Sequence, residues 1–344
     1  MMVRKVAAAG VLLIVSVLAT GNWLYRHPPF GRDPQALFEG MIEGTAYKPH
    51  VTRALIPLAV RAISHVLPTT APDALKRPLR MVGLAPVFFP DTHPEIRPVH
   101  YFVWVYLVIA SLMLLGEGTR QFLATIYTGD PRLFLVGGAL TVAMWPLLAS
   151  YTSYVYDPFV PTLVLWTFLA GIRGRWVAYY PLLVLAALNK ETAVLIPLAV
   201  SYAVSEGRSW RGIARRTLAD LAIVAAVLGV LGAVVFRGNP GTIVEFHLLD
   251  HNLSRAVTYL FLPQLALLLV LVVGLCLPDW RRKPRAAKAL ALVAAPLVAS
   301  ALFVGYIDEL RQYSESLPGF VALAFPTLLS VIGVNVFVPQ SRSG

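Results

Sequence analysis

Hydrophobic positions in this chain gather in long blocks instead of alternating, and the blocks have the length of membrane spans. A helix needs about 20 apolar residues to cross a hydrocarbon layer about 30 Å thick. Blocks of that kind fall near residues 6–24, 99–116, 132–149, 158–172, 217–236, 257–277, 288–307 and 319–338. A further block, 176–205, is interrupted near its middle by Asn189-Lys190-Glu191. As one helix it would be about 45 Å long, too long for a single crossing. It reads as two short spans, 176–188 and 192–205, joined by a turn that sits below the membrane surface. The pattern predicts an all-α, polytopic bundle of about ten spans, forming a single transmembrane domain over residues 1–344.

One long segment, 25–98, lies between the first two blocks. Within it, residues 50–67 read HVTRALIPLAVRAISHVL, an amphipathic stretch expected to form a helix lying in the membrane interface. Residues 68–98 are rich in proline and read as an irregular, packed loop.

Composition narrows the class. Of the 344 residues, 57% are apolar by the AVILMFWYC count and 14% are charged. A soluble domain carries about 25% charged residues, and so few charges cannot cover a water-facing surface. A lone cysteine, Cys276, leaves no disulfide framework.

The net charge of +11 would suit a nucleic-acid partner if it formed a patch, so its placement decides. Arg4 and Lys5 precede the first block, which sets the N-terminus inside, and that block reads as an uncleaved anchor. With ten spans, the inside segments hold 16 of the 29 Lys and Arg residues. The short outside loops hold only Lys190, Arg237, Arg255 and Arg311. A single crossing by 176–205 would instead put Arg208, Arg211, Arg215 and Arg216 outside. The basic excess is therefore topological, and nucleic acid is not expected as a partner. Both termini are expected in the cytoplasm, with the chain in the cytoplasmic (inner) membrane.

Acidic residues lean the other way: 13 of 18 fall outside. Carboxylates contribute little to orientation. Short inside loops reserved for Lys and Arg would explain the bias, and so would a polar site on the outer face built from several loops.

Five segments on that face form an ordered series: Arg32-Asp33-Pro34 in the first outer loop, Arg53-Ala-Leu-Ile-Pro57 in the amphipathic stretch, and Tyr156-Asp157-Pro158 at the start of a span. Leu188-Asn-Lys-Glu-Thr192 follows at the broken pair, and Asp308-Glu-Leu-Arg-Gln-Tyr-Ser-Glu-Ser-Leu-Pro318 closes the series. In order and in side, the series resembles the GT-C superfamily of integral-membrane glycosyltransferases, in a small bacterial branch. The resemblance covers roughly residues 20–320.

It implies an enzyme that moves a sugar from a polyprenyl-phosphate donor to a glycan or lipid acceptor on the extracytoplasmic side, with inversion. Such chemistry needs a carboxylate to take the acceptor's hydroxyl proton and fixed cations to hold the leaving phosphate. By the resemblance Asp33 is the catalytic base, with Glu39 or Glu43 as alternatives and a turn or helix start as its structural role. Lys190, Arg311 and Arg53 are expected to hold phosphate, while Asp157, Glu191 and Glu309 orient sugar, acceptor or a supporting network. Each has a structural reading beside this one: helix capping for Asp157, snorkelling for Arg53, an interfacial ion pair for Glu309 and Arg311, and a tie to another span for Lys190. An ionisable residue at membrane depth is expensive, which favours Lys190 and Glu191 as functional.

No metal and no cofactor are expected. His247-Leu-Leu-Asp-His251 has helical zinc spacing, and Asp91, His93 and His100 form a looser cluster, but a solvated outer loop explains both. The chain holds no P-loop or GxGxxG pattern for a nucleotide sugar. A multi-pass transporter or lipid flippase is the alternative, although only one block looks broken where such folds usually break two. A non-catalytic membrane scaffold is the third reading.

Overall fold

A computed structural model describes residues 2–26, 28–30, 33–68, 71–81, 88, 96–149, 153–242, 246–254, 263–307 and 309–337. Its helices are α1 (Met2–Arg26), α2 (Phe38–Glu43), α3 (Leu55–Val66), α4 (Ala71–Met81), α5 (Pro98–Ile126), α6 (Pro131–Leu148) and α7 (Val160–Ile172). They continue with α8 (Trp176–Asn189), α9 (Leu195–Ala203), α10 (Trp210–Val230), α11 (Pro263–Cys276), α12 (Arg285–Leu292), α13 (Ala294–Val304) and α14 (Leu317–Val331). Among the described residues there is no strand, only an isolated bridge between Lys48 and Gly241.

The protein is an all-α helical bundle. Among the described residues, six stretches are long and apolar enough to cross a membrane: Val6–Arg26, Pro98–Ile126, Pro131–Leu148, Trp210–Val235, Arg285–Val304 and Leu310–Val331. Asp157–Ile172, Trp176–Asn189 and Glu191–Ala203 are shorter apolar helices packed among them.

Hydrogen bonds sort the connections into two ends. At one end Asn239 donates to the carbonyls of Gly44 and Ala46, Asn252 to those of Ala301, Leu302 and Gly305, and the Trp23 indole to Ser153 Oγ. At the other, Thr128 N–H meets the Val336 carbonyl, Arg285 reaches Ser205, and Arg173 reaches Thr125. There Lys283 Nζ donates to the carbonyls of Leu275 and Cys276, a cation on the last turn of α11.

Local chemistry explains where elements differ from the hydrophobic pattern. Helix α5 runs to Ile126, past the expected end at 116, because Glu117 is satisfied on the helix surface by Arg120 and Gln121. Helix α14 stops at Val331, short of 338; Gly333 follows at φ +76°, the left-handed turn that ends many helices. The expected span 288–307 breaks at Val293, where Pro296 has no N–H to offer the Leu292 carbonyl. Part of the Pro-rich stretch is ordered as α4, with Pro78 inside it; residues 82–87 and 89–95 lie outside the described residues.

The core is closely packed. A methyl group at Gly138 would lie 2.3 Å from the Gly116 carbonyl oxygen, so bare backbone lets α5 and α6 touch. Above that contact Trp23 meets Trp145 edge-on at 4.9 Å, tying α1 to α6.

Candidate functional site

The end that gathers 33–60, 153–159, 189–194 and 309–316 also gathers most of the buried ionisable residues, although Asp220 and Lys283 are buried elsewhere. The backbone leaves the helix at Lys190, which is extended at φ −162° and ψ 143° before a 3-10 turn begins at Glu191. That break lets successive side chains point in different directions. Glu191 pairs with Arg53 through two contacts, Nε to Oε2 at 3.0 Å and Nη2 to Oε1 at 2.5 Å. Lys190 Nζ donates to Glu315 Oε1 at 3.1 Å, and Thr192 Oγ1 donates to the same oxygen at 2.6 Å.

Arg311 lies in the 3-10 turn Leu310–Ser316, between two carboxylates. Its Nη2 is 2.6 Å from Glu309 Oε2, and its Nη1 is 3.4 Å from Asp157 Oδ2. Asp157 is buried and also accepts from the Tyr154 N–H at 2.7 Å. Its carboxylate closes the turn 154–157 and contacts Arg311; the expected helix cap is not formed, since neither the 157–159 turn nor α7 takes a side-chain cap. Arg311 sits 4.5 Å from the Tyr154 ring centre and Arg53 4.7 Å from that of Tyr156, with the two tyrosine rings stacked at 5.5 Å.

Asp33 also does two things. Its Oδ1 accepts from Gln35 N–H at 2.9 Å, the cap of the following 3-10 turn. Its Oδ2 faces Tyr154 Oη at 3.2 Å and His50 Nε2 at 3.5 Å. Glu39 and Glu43 are engaged elsewhere: Glu39 takes the Arg97 N–H and the His100 ring nitrogen, and Glu43 pairs with Arg97.

These groups surround a cavity of about 500 Å³. Part of the lining is polar: His50, Arg53, Tyr154, Lys190, Glu191, Thr192, Glu309 and Arg311. The rest of the lining is largely apolar, with Val194 and Leu195 from the broken pair and Pro296, Leu297, Ala301 and Val304 of α13, interrupted by Ser300, His247 and Gln312. Asp33 lies beside His50 and Tyr154, and Asp157 behind Arg311, each one side chain away from the wall.

The seven residues singled out in the sequence thus belong to one connected cluster. Comparison with protein-family models, curated proteins and solved structures returns no match. The argument for function therefore rests on the cluster's own chemistry.

Electrostatics follows from burial. Burial, then the Arg53 guanidinium, pushes the His50 imidazole down to about 4 despite the opposing pull of Asp33, so the ring is neutral near pH 7. Arg53 remains charged: burial works against it, and Glu191 outweighs that effect. In all, Asp157, Glu191, Glu309 and Glu315 pair with three cations, Arg53, Lys190 and Arg311, and Asp33 lies beside the neutral His50.

Four participants were not singled out from the sequence: His50, Tyr154, Tyr156 and Glu315. Glu315 carried a usable signal, since it follows Arg311 by four residues in a turn leading into an apolar helix. His247 and His251 pack against Tyr306, their ring centres 4.5 and 4.2 Å from it. Among the described residues no three His, Cys, Asp or Glu side chains are placed to hold a metal. Arg32, Asp91, His93 and Asp308 lie outside the described residues.

Proposed function

We propose that this protein is an integral-membrane glycosyltransferase that takes its sugar from a polyprenyl-phosphate donor. Ten crossings, both termini in the cytoplasm and an extracytoplasmic site complete the proposal, in the cytoplasmic membrane. The observation that carries it is the make-up of the cavity, whose lining combines three cations with a largely apolar stretch. A lipid-linked phosphosugar has the matching halves.

In this reading Lys190, Arg311 and Arg53 hold the phosphate, trading part of their carboxylate contacts for phosphate oxygens. Glu191, Glu309 and Asp157 orient those cations and the sugar. Asp33 takes the proton of a glycan or lipid acceptor hydroxyl. The new O–C bond forms at the anomeric carbon while the C–O bond to phosphate breaks, its electron pair staying on the phosphate; one displacement inverts the centre. Val194, Leu195, Pro296, Leu297 and Val304 receive the first isoprene units.

The test is Asp33→Asn in a bilayer assay with a polyprenyl-phosphate sugar. Transfer should fall by about 10²–10⁴ while donor binding persists. Unchanged transfer would remove the assigned base.

One observation favours a second reading, a proton-coupled transporter: four carboxylates pair with three cations and a fifth, Asp33, lies beside His50, a surplus that holds or passes protons readily. Proton flux in proteoliposomes that needs no lipid-linked sugar would select it.

A further inference from the structure

The contacts between Arg53 and Asp33 run through two residues that the reaction above does not use. Tyr156 Oη accepts a hydrogen bond from Arg53 Nη1 and lies 3.4 Å from His50 Nδ1. His50 Nε2 lies 3.5 Å from Asp33 Oδ2. Tyr156 is fully buried and His50 nearly so, while Asp33 keeps 28% of its side chain exposed.

The inventory of donors and acceptors gives this chain a direction. An arginine can only donate, and a carboxylate can only accept. At the Asp33 end, where Oδ2 also accepts from Tyr154 Oη at 3.2 Å, a hydrogen bond from His50 requires the proton on Nε2. A neutral imidazole then has a bare Nδ1, which needs a donor, and the one hydroxyl within reach is that of Tyr156. At the other end the Tyr156 oxygen already accepts from Arg53, leaving its single proton for His50. Both ends demand the same order: Arg53 to Tyr156 to His50 to Asp33. The depressed His50 pKa agrees, because a second ring proton would point at a hydroxyl that already donates toward it. The charged groups acting on the ring are Arg53 on its own segment, Asp33 from the first outer loop, Arg311 from the 310–316 turn and Glu191 from the broken pair.

We infer that Tyr156 and His50 are positioning residues forming a directed hydrogen-bond relay, which holds His50 as the Nε2–H tautomer and fixes the Asp33 carboxylate behind the cavity wall. The inference rests on the proposed role of Asp33 as base. It adds a link between the two halves of the site, because Arg53, which faces the donor phosphate, stands at the head of the chain that ends on the base. The 3.4 and 3.5 Å links are long, and contacts of this kind commonly tighten in a substrate complex.

The experiment is nitrogen NMR of the full-length protein labelled at histidine, in lipid nanodiscs, with His50 assigned by the signal lost in His50→Gln. At pH 7 wild type should show His50 with a protonated Nε2 and a hydrogen-bonded, unprotonated Nδ1. Tyr156→Phe keeps the ring stack and removes the hydroxyl: Nε2–H should persist, the Nδ1 signal should move to that of a bare nitrogen, and the apparent pKa should rise. Asp33→Asn, whose amide can also donate, should yield a mixture of tautomers. A wild-type Nδ1–H tautomer, or an Nδ1 signal indifferent to Tyr156→Phe, would overturn the relay. Adding a polyprenyl monophosphate should then move the Nδ1 signal in wild type and not in Tyr156→Phe. The lipid-free spectra decide the relay by themselves, so failure of that lipid to bind, read by native mass spectrometry, counts against the glycosyltransferase reading alone.

Discussion

Lys190 and Glu315 form a buried ion pair, Nζ to Oε1 at 3.1 Å, with side chains 7% and 0% exposed. Neither has water to fall back on, and Glu315 Oε2 has no partner of its own. Removing one member of such a pair strands the other.

Lys190→Met should therefore destabilise the protein by about 3–5 kcal/mol, the usual cost of an uncompensated buried charge. The double variant Lys190→Met, Glu315→Leu should recover most of that loss, because well-packed apolar side chains replace buried pairs at little cost. Thermal unfolding in detergent distinguishes the cases. Equal losses in the single and double variants would show that the pair is not the source.

Acid should weaken the fold through His50. Its folded pKa lies near 4 and its unfolded value near 6.5. Between those values the unfolded chain binds the extra proton, so stability is fully present above pH 6.5 and is lost as pH falls toward 4. From pH 7 to pH 5 the loss is about 2 kcal/mol. His50→Asn should flatten that part of the profile in denaturation curves at matched ionic strength. A wild-type profile with the same slope as the variant would assign the acid sensitivity elsewhere.

Gly138→Ala probes the bundle far from the site. The added methyl would stand 2.3 Å from a backbone oxygen of α5, which no rotamer change relieves. The expected loss is about 1–3 kcal/mol, seen as a lower Tm, with ligand binding at the opposite end retained in the folded fraction. A neutral substitution would mean that α5 and α6 sit further apart.

Arg311→Lys tests whether the forked guanidinium matters. A lysine keeps the charge but cannot span Glu309 and Asp157 together, and it loses the stack on Tyr154. Affinity for a polyprenyl phosphate should fall about tenfold, some 1.4 kcal/mol. Unchanged affinity would place the phosphate away from Arg311.

Much of this was legible in the sequence, for physical reasons that differ by residue. Lys190 and Glu191 stood out because charge inside an apolar block is costly, and the break they marked is a real departure from helix. The basic end announced itself through loop composition. Glu39 and Glu43 looked as eligible as Asp33, since nothing local says that Arg97 and His100, more than fifty residues away, take them. Tyr156 was hidden for a similar reason: its hydroxyl acquires a role only when Arg53 and His50 arrive from another segment. Helix α5 ran longer than its apolar block because Glu117 and Arg120 satisfy each other, a pairing that hydropathy does not register.

The central claim is that the cavity holds a lipid-linked phosphate. Native mass spectrometry of the gently purified protein measures this most directly, with wild type compared to a Lys190→Ala, Arg311→Ala variant. The account predicts a co-purified polyprenyl phosphate, with or without a sugar increment, that added polyprenyl phosphate displaces and the variant fails to retain. Ordinary phospholipid alone, undisplaced by polyprenyl phosphate and equally present in the variant, would contradict it.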